Sequence, residues 1–220
     1  MPKLIRNSKL SNKQIRKIIE CFSLELTSIQ AANHTGIHRN TIDRIFQIIR
    51  EKIANYEEIN QNIFDGEIEG DESYFGGVHK YNRGRSTKSK IPVFGLLKRK
   101  GQIYTQIVPD VKRDTLMKII RTRVVPESVI YTDSWKSYDG LILDGYKHYR
   151  INHSKEFKKG KRNHINGIES FWSYAKSKLR KHYGITPKRF YFYLKEVEFR
   201  FNHRKGYNLP NLIEKILIDY

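Results

Sequence analysis

At 220 residues with 38% hydrophobic side chains, the chain is long enough for one large domain or a small and a medium one, and apolar enough for a packed core. That excludes wholesale disorder. No stretch approaches ~18 uninterrupted apolar residues, the start Met1-Pro2-Lys3-Leu4-Ile5-Arg6 lacks the apolar run of a secretory signal, and the single Cys21 excludes an internal disulfide or a cysteine-built zinc site. A cytoplasmic protein with no membrane partner is expected, with Cys21 as a small buried helix residue. Lys and Arg outnumber Asp and Glu by 42 to 23, a net +19 that attracts polyanions and commonly accompanies nucleic-acid binding. Residues 63–220 hold 32 of the bases and 17 of the acids, so more than a small reading module must meet the polyanion. Other basic proteins share this balance, and charge alone says nothing about chemistry.

The first ~60 residues read as helices. In Ser11–Phe22 the apolar Ile15, Ile18, Ile19 and Phe22 fall at helical spacing, with Ser11 as N-cap. The run Thr27–Ile45 resembles a helix-turn-helix: Ala32 is small enough for a close helix crossing, and Gly36 suits a turn of positive φ. Ile42 and Ile45 would anchor the second helix. That leaves His38, Arg39, Asn40, Thr41 and Arg44 on its open N-terminal half, where side chains reach base edges and phosphates. An ordinary helical hairpin would share the glycine turn.

The polar stretch Asn55–Asn62 marks the expected boundary between a helix-turn-helix domain (1–62) and a second domain (63–220). Strands are expected at Glu67–Tyr74, Ile91–Leu97, Gln102–Val108, Ser128–Thr132 and Tyr146–Ile151. Helices are expected at Asp114–Val124 with Asp114 as cap, Asn163–Lys181 and Pro187–Asn202, plus a short one after Asp133. This order gives an α/β class: a ribonuclease-H-like mixed sheet flanked by helices. Two basic loops, Lys80–Lys90 with Arg83 and Arg85, and Lys155–Arg162 with Lys158 and Lys159, are expected to order on phosphates.

Phosphodiester cleavage must stabilise charge on the attacking and the leaving oxygen. Two divalent cations roughly 4 Å apart do so, held by carboxylates. Mg²⁺ prefers oxygen ligands and keeps several waters, so three carboxylates from separate elements suffice. Asp71 lies late in the first strand, within five carboxylates crowded into Asp65–Glu72, an arrangement that repels itself unless a cation sits among them. Asp133 ends the strand Val129–Thr132, where an aspartate projects into a crevice, although it could also cap the next helix. In Asn163–Lys181, Ile165, Ile168, Trp172, Ala175 and Leu179 form one apolar stripe. Asn166, Glu169, Ser173, Lys176 and Arg180 form a polar stripe beside it, and Glu169 is its only acid. Trp172 reads as core rather than as a base-stacking residue.

The blocks Gly70-Asp71-Glu72-Ser73-Tyr74-Phe75-Gly76-Gly77, Tyr131-Thr132-Asp133-Ser134 and His164–Lys176 resemble the DDE transposases of bacterial insertion sequences, in the branch with an ISXO-like catalytic domain. The 35 residues between Asp133 and Glu169 match the spacing of that triad. The resemblance covers about residues 63–205. It implies that Asp71, Asp133 and Glu169 hold two Mg²⁺ or Mn²⁺ ions, that water first nicks the transposon end, and that the exposed 3′-hydroxyl then attacks target DNA. Lys176 matches a basic residue used near the transposon end, Arg180 would hold backbone, and Asn166 could assist Glu169. Many relatives carry a zinc ribbon that this chain has no cysteines to build, so end recognition falls to the helix-turn-helix. DNA ends and target DNA are the implied partners, with at least a homodimer on DNA and a nucleoid-associated location. A ribonuclease-H-like nuclease or resolvase, and a non-enzymatic DNA-binding regulator, are the alternatives.

Overall fold

A computed structural model of the chain describes residues 3–60, 63–76, 90–133, 145–151, 165–182, 184–206 and 208–220. In chain order the elements are α1 (Asn12–Ser23), α2 (Ser28–Thr35), α3 (Arg39–Ile59), β1 (Glu67–Phe75), β2 (Ile91–Lys98), β3 (Ile103–Ile107), α4 (Arg113–Arg123), β4 (Val129–Asp133), β5 (Lys147–Ile151), α5 (Asn166–Arg180), α6 (Pro187–Asn202) and α7 (Leu209–Asp219). They form two compact units, Met1–Asn60 with Thr186–Tyr220, and Gln61–Ile185.

In the helical unit, α1 and α2 each begin with a reciprocal capping box. Ser11 and Gln14 exchange side-chain and backbone hydrogen bonds, and Thr27 and Gln30 do the same. Gly36 ends α2 at φ 71°, the left-handed turn expected of it. Ile15, Ile18, Ile19 and Phe22 of α1 pack on Ile42, Ile45, Phe46, Ile49 and Ile53 of α3. Each such fully buried side chain contributes ~1.5–3 kcal/mol. The small residue in this core is Ala31; its neighbour Ala32 is only partly buried.

Three features differ from the sequence reading. The polar stretch at the expected boundary is helical to Ile59, because Tyr56 packs against the same core. Phe199 of α6 and Ile213, Ile216 and Leu217 of α7 also lie in that core. Residues 186–220 therefore pack with the N-terminal helices rather than with the sheet, and α7 was not anticipated at all. Finally, α4 starts one residue before Asp114, with Lys112 at the cap position and no side-chain capping bond.

The second unit holds one sheet in the order β3-β2-β1-β4-β5. β1, β2 and β3 form an antiparallel meander, while β4 and β5 run parallel to β1. This is the expected ribonuclease-H-like mixed sheet. Alternation sends Ile68, Phe94, Leu96 and Ile130 to one face, where Leu116, Met117 and Ile120 of α4 cover them. The opposite face takes α5: a Cβ on Gly95 would lie 2.7 Å from the Trp172 ring and one on Gly167 would lie 2.8 Å from Leu97, so both glycines permit this close approach. The short helix expected after Asp133 falls outside the described residues. Among the described residues no helix is long and apolar enough to cross a membrane.

Candidate active site

β1 and β4 pair from Glu67↔Val129 to Gly70↔Thr132. Asp71 and Asp133 are the next residues in step on these two adjacent inner strands. Beyond that point β1 continues with β2 alone, Asp71 opposite Gly95, and β4 ends. Asp71 therefore sits mid-strand, where the parallel pairing stops. Both aspartates belong to the sheet face covered by α5, whose first turn carries Glu169.

The apolar stripe of α5 is buried as expected, with Phe171 added to it, and Asn166, Glu169, Ser173, Lys176 and Arg180 are all exposed. Trp172 is core, 4% exposed, and it does something its periodicity could not reveal. Its indole N–H donates to Asp71 Oδ2 at 3.1 Å. Lys176 Nζ stands 6.0 Å from the centroid of Phe75, at the end of β1.

Burial pushes the Asp71 carboxyl up to about 7. The charges of Asp133 and Glu169 push the same way, against the Glu72 backbone N–H and the Trp172 indole, which favour the ionised form. Asp133 and Glu169 thus both lie within electrostatic reach of Asp71. Among the described residues, however, no three His, Cys, Asp or Glu side chains meet closely enough to enclose an ion as they stand. The donor set is all oxygen and the repulsion at Asp71 is of the kind a divalent cation relieves, so its chemistry fits Mg²⁺ or Mn²⁺.

The wider acidic cluster has a different explanation from the one its crowding suggested. Asp65 pairs with Lys98. Glu67 accepts from the Tyr131 hydroxyl at 2.9 Å and faces Arg99 at 3.6 Å. Glu69, only 2% exposed, accepts from Arg99 Nε at 3.0 Å and from the Ile168 N–H at 2.8 Å. Basic side chains and the start of α5 thus compensate those three acids. The crowding calls for no cation there, and of the acids in Asp65–Glu72 it is Asp71 whose carboxyl burial and neighbouring charge hold high. Nothing in the pattern of a single chain distinguishes Glu69 from the other acids.

In the helical unit, Arg39, Asn40 and Arg44 are exposed on the first turns of α3 and Thr41 is half-buried. His38 Nδ1 accepts from the Asn40 N–H, and Arg39 lies 3.6 Å from Asp43. Arg83, Arg85, Lys158 and Lys159 lie outside the described residues.

Residues 63–202, more than half of the chain, match the ISXO2-like transposase domain family. An uncharacterized transposase-like protein of Haemophilus influenzae is 48% identical over 118 residues, which span 54% of this chain and 95% of that protein. Among solved structures, the catalytic core domain of BIV integrase covers 66% of this chain and 88% of its own at 11% identity, with a TM-score of 0.43. The Mos1 strand transfer complex covers 99% and 78% at 12% identity, with a TM-score of 0.29. At these scores the fold assignment rests on the chain's own sheet order.

Proposed function

Because the chain belongs to the ISXO2-like transposase domain family, we propose that it is an insertion-sequence transposase that cleaves DNA at the element's ends and joins the exposed 3′-hydroxyl to target DNA. Asp71, Asp133 and Glu169 would hold a pair of Mg²⁺ or Mn²⁺ ions. When bound, such ions supply charge to the attacking and leaving oxygens of the phosphodiester. The observation that carries the reading is Asp71: a half-buried carboxyl raised to about 7, with two further carboxylates acting on it and one indole N–H orienting it. A carboxyl raised by burial and by neighbouring acids marks a candidate functional site.

The chain's own residues supply position. The Trp172 indole fixes the Asp71 carboxyl from the α5 side, and β-pairing sets Asp133 beside it. Lys176 and Arg180, on the exposed face of α5 with Glu169, meet backbone phosphates. Arg39, Asn40, Thr41 and Arg44 read the element end, and Arg83, Arg85, Lys158 and Lys159 are assigned to the DNA backbone on sequence alone. Pairing two ends requires at least two copies on DNA.

The test is to incubate the full chain with labelled end DNA, a target plasmid and Mg²⁺. Cut and joined products are expected. Cutting without joining would make the chain a nuclease, and binding without cutting a regulator. Arg39→Ala is expected to weaken end binding about tenfold, the order of one lost base or phosphate contact. Unchanged affinity would remove the helix-turn-helix from the reading.

A further inference from the structure

The start of α5 lacks a cap of its own. Its N-cap residue is Ile165, which makes no side-chain capping bond. The amides of a helix's first turn carry partial positive charge and need acceptors. Here an acceptor comes from another element, because Glu69 Oε2, on β1, takes the Ile168 N–H at 2.8 Å across 99 residues of sequence. The other oxygen, Oε1, is held by Arg99 Nε at 3.0 Å. Arg99 is itself pinned, its Cζ 3.7 Å from the Tyr131 ring centroid and its backbone N–H on the Glu67 carbonyl. Gly167 completes the fit: a Cβ there would lie 2.8 Å from Glu69 Oε2 and 2.8 Å from Leu97. A buried carboxylate, fixed by a fixed arginine, thus meets the one helical turn that carries Glu169.

We propose that Glu69 is a positioning residue, a clamp on the first turn of α5 that sets Glu169 against Asp71 and Asp133. This rests on the assignment of those three carboxylates as the metal-holding site. Glu69 is two residues from Asp71, so its side chain leaves β1 on the same face as the aspartate and reaches the helix while Asp71 faces the reaction. β1 thereby carries one member of the site and the anchor of another. Glu69 acts through α5 in this role.

The experiment uses the full chain and Mn²⁺ as probe, with titration calorimetry for affinity and amide hydrogen exchange over residues 165–170. Glu69→Gln keeps size and an acceptor but presents an amide N–H₂ where Arg99 or Ile168 also donates. We expect it to raise the Mn²⁺ dissociation constant ~10–100-fold, the range for lost outer-shell support. Exchange should quicken over 165–170 and remain unchanged in α1, and end-DNA cleavage should lose kcat at constant KM. Gly167→Ala leaves Glu69 in place but wedges a methyl against its carboxylate and Leu97, and should reproduce the same three effects even if Glu69→Gln fails to fold. Wild-type Mn²⁺ affinity and exchange in both variants would overturn the clamp. Glu169→Gln separates this from the parent reading. If it loses Mn²⁺ while the clamp variants do not, only the clamp fails. If it too binds Mn²⁺ like wild type, the carboxylate site falls and takes the clamp with it.

Discussion

The two units bury charge in opposite ways. In the helical unit Glu196 of α6 accepts from Arg50 Nε at 2.6 Å and from Arg200 Nε at 2.8 Å, and Arg200 Nη2 donates on to the Phe22 carbonyl at 2.6 Å. Arg50 also lies 4.0 Å from the Tyr193 ring centroid. Burial alone would raise the Glu196 carboxyl, yet the two arginines more than offset it and hold the group below its usual range. In the sheet unit burial also raises Asp71, and there the neighbouring charges are carboxylates, so it stays high at about 7. A buried charge given two cations fastens helices together. One set beside two like charges is held in its neutral form more readily, and on the proposed function it is the group a divalent cation would ionise.

The largest effect that could break this contrast is on chemistry. Asp133→Asn removes a proposed ligand and is expected to lower end cleavage by at least ~10³-fold while end binding persists. Near-normal cleavage would contradict the assignment directly. Next is Glu196→Ala, which leaves Arg50 and Arg200 facing each other without an anion in the core. Breaking a buried pair in this way costs ~3–5 kcal/mol, to be read as a lower urea midpoint.

Asp71→Asn should act on stability with the reverse sign. The amide can still accept from Trp172 but no longer feels the repulsion of Asp133 and Glu169. In EDTA the variant should gain on the order of 1–3 kcal/mol, with each kcal/mol raising Tm by ~2–4 °C. Because the folded carboxyl lies at about 7 against an ordinary 3.8, the wild-type penalty develops as pH rises between those values. The gain should therefore be full at pH 8 and absent near pH 3. A destabilised Asp71→Asn would place Asp71 with Glu196 among structural charges.

The contrast was only half legible in the sequence. Strands of alternating or continuous apolar residues, the Ser11 cap, the Gly36 turn and the two stripes of α5 are local patterns, and each stands in the structure. The acids Asp71, Asp133 and Glu169 could be nominated because they lie in a crowded acidic run, at a strand end and on a mixed polar stripe. What compensates an acid is not local. Glu69 finds its partners 30 and 99 residues away, and Arg50 finds Glu196 146 residues away. Periodicity assigned Trp172 to the core but is blind to where its N–H points. The placement of α6 and α7 with the N-terminal helices is likewise decided by which apolar faces meet, and amphipathic periodicity does not name the partner.

The finest discrimination comes from a third kind of acid, half-buried in the helical unit. Glu57 of α3 lies among Glu198, Lys195 and Asn202, and Lys195 is already engaged by both oxygens of Glu198 at 3.0 Å. Burial, then the Glu198 charge, pushes Glu57 up to about 8 in spite of Lys195 and Asn202. Its raised value means that the excess acid is balanced by a proton in the folded chain. The sign follows from the raised value. Between pH 4.5 and about 8 the unfolded chain has released a proton that the folded chain keeps, so stability falls as pH rises through this window and the loss is complete above it. Glu57→Gln mimics the protonated form. Melting profiles should coincide with wild type near pH 5 and lie a few degrees higher at pH 9, a shift of ~1–2 kcal/mol. Mg²⁺ should change neither curve at this position, whereas it should erase much of the Asp71→Asn advantage by binding the wild-type carboxylates. If Mg²⁺ left the Asp71 difference as untouched as the Glu57 one, both would be surplus structural acids, and the sheet unit would have lost its reason for keeping three carboxylates together.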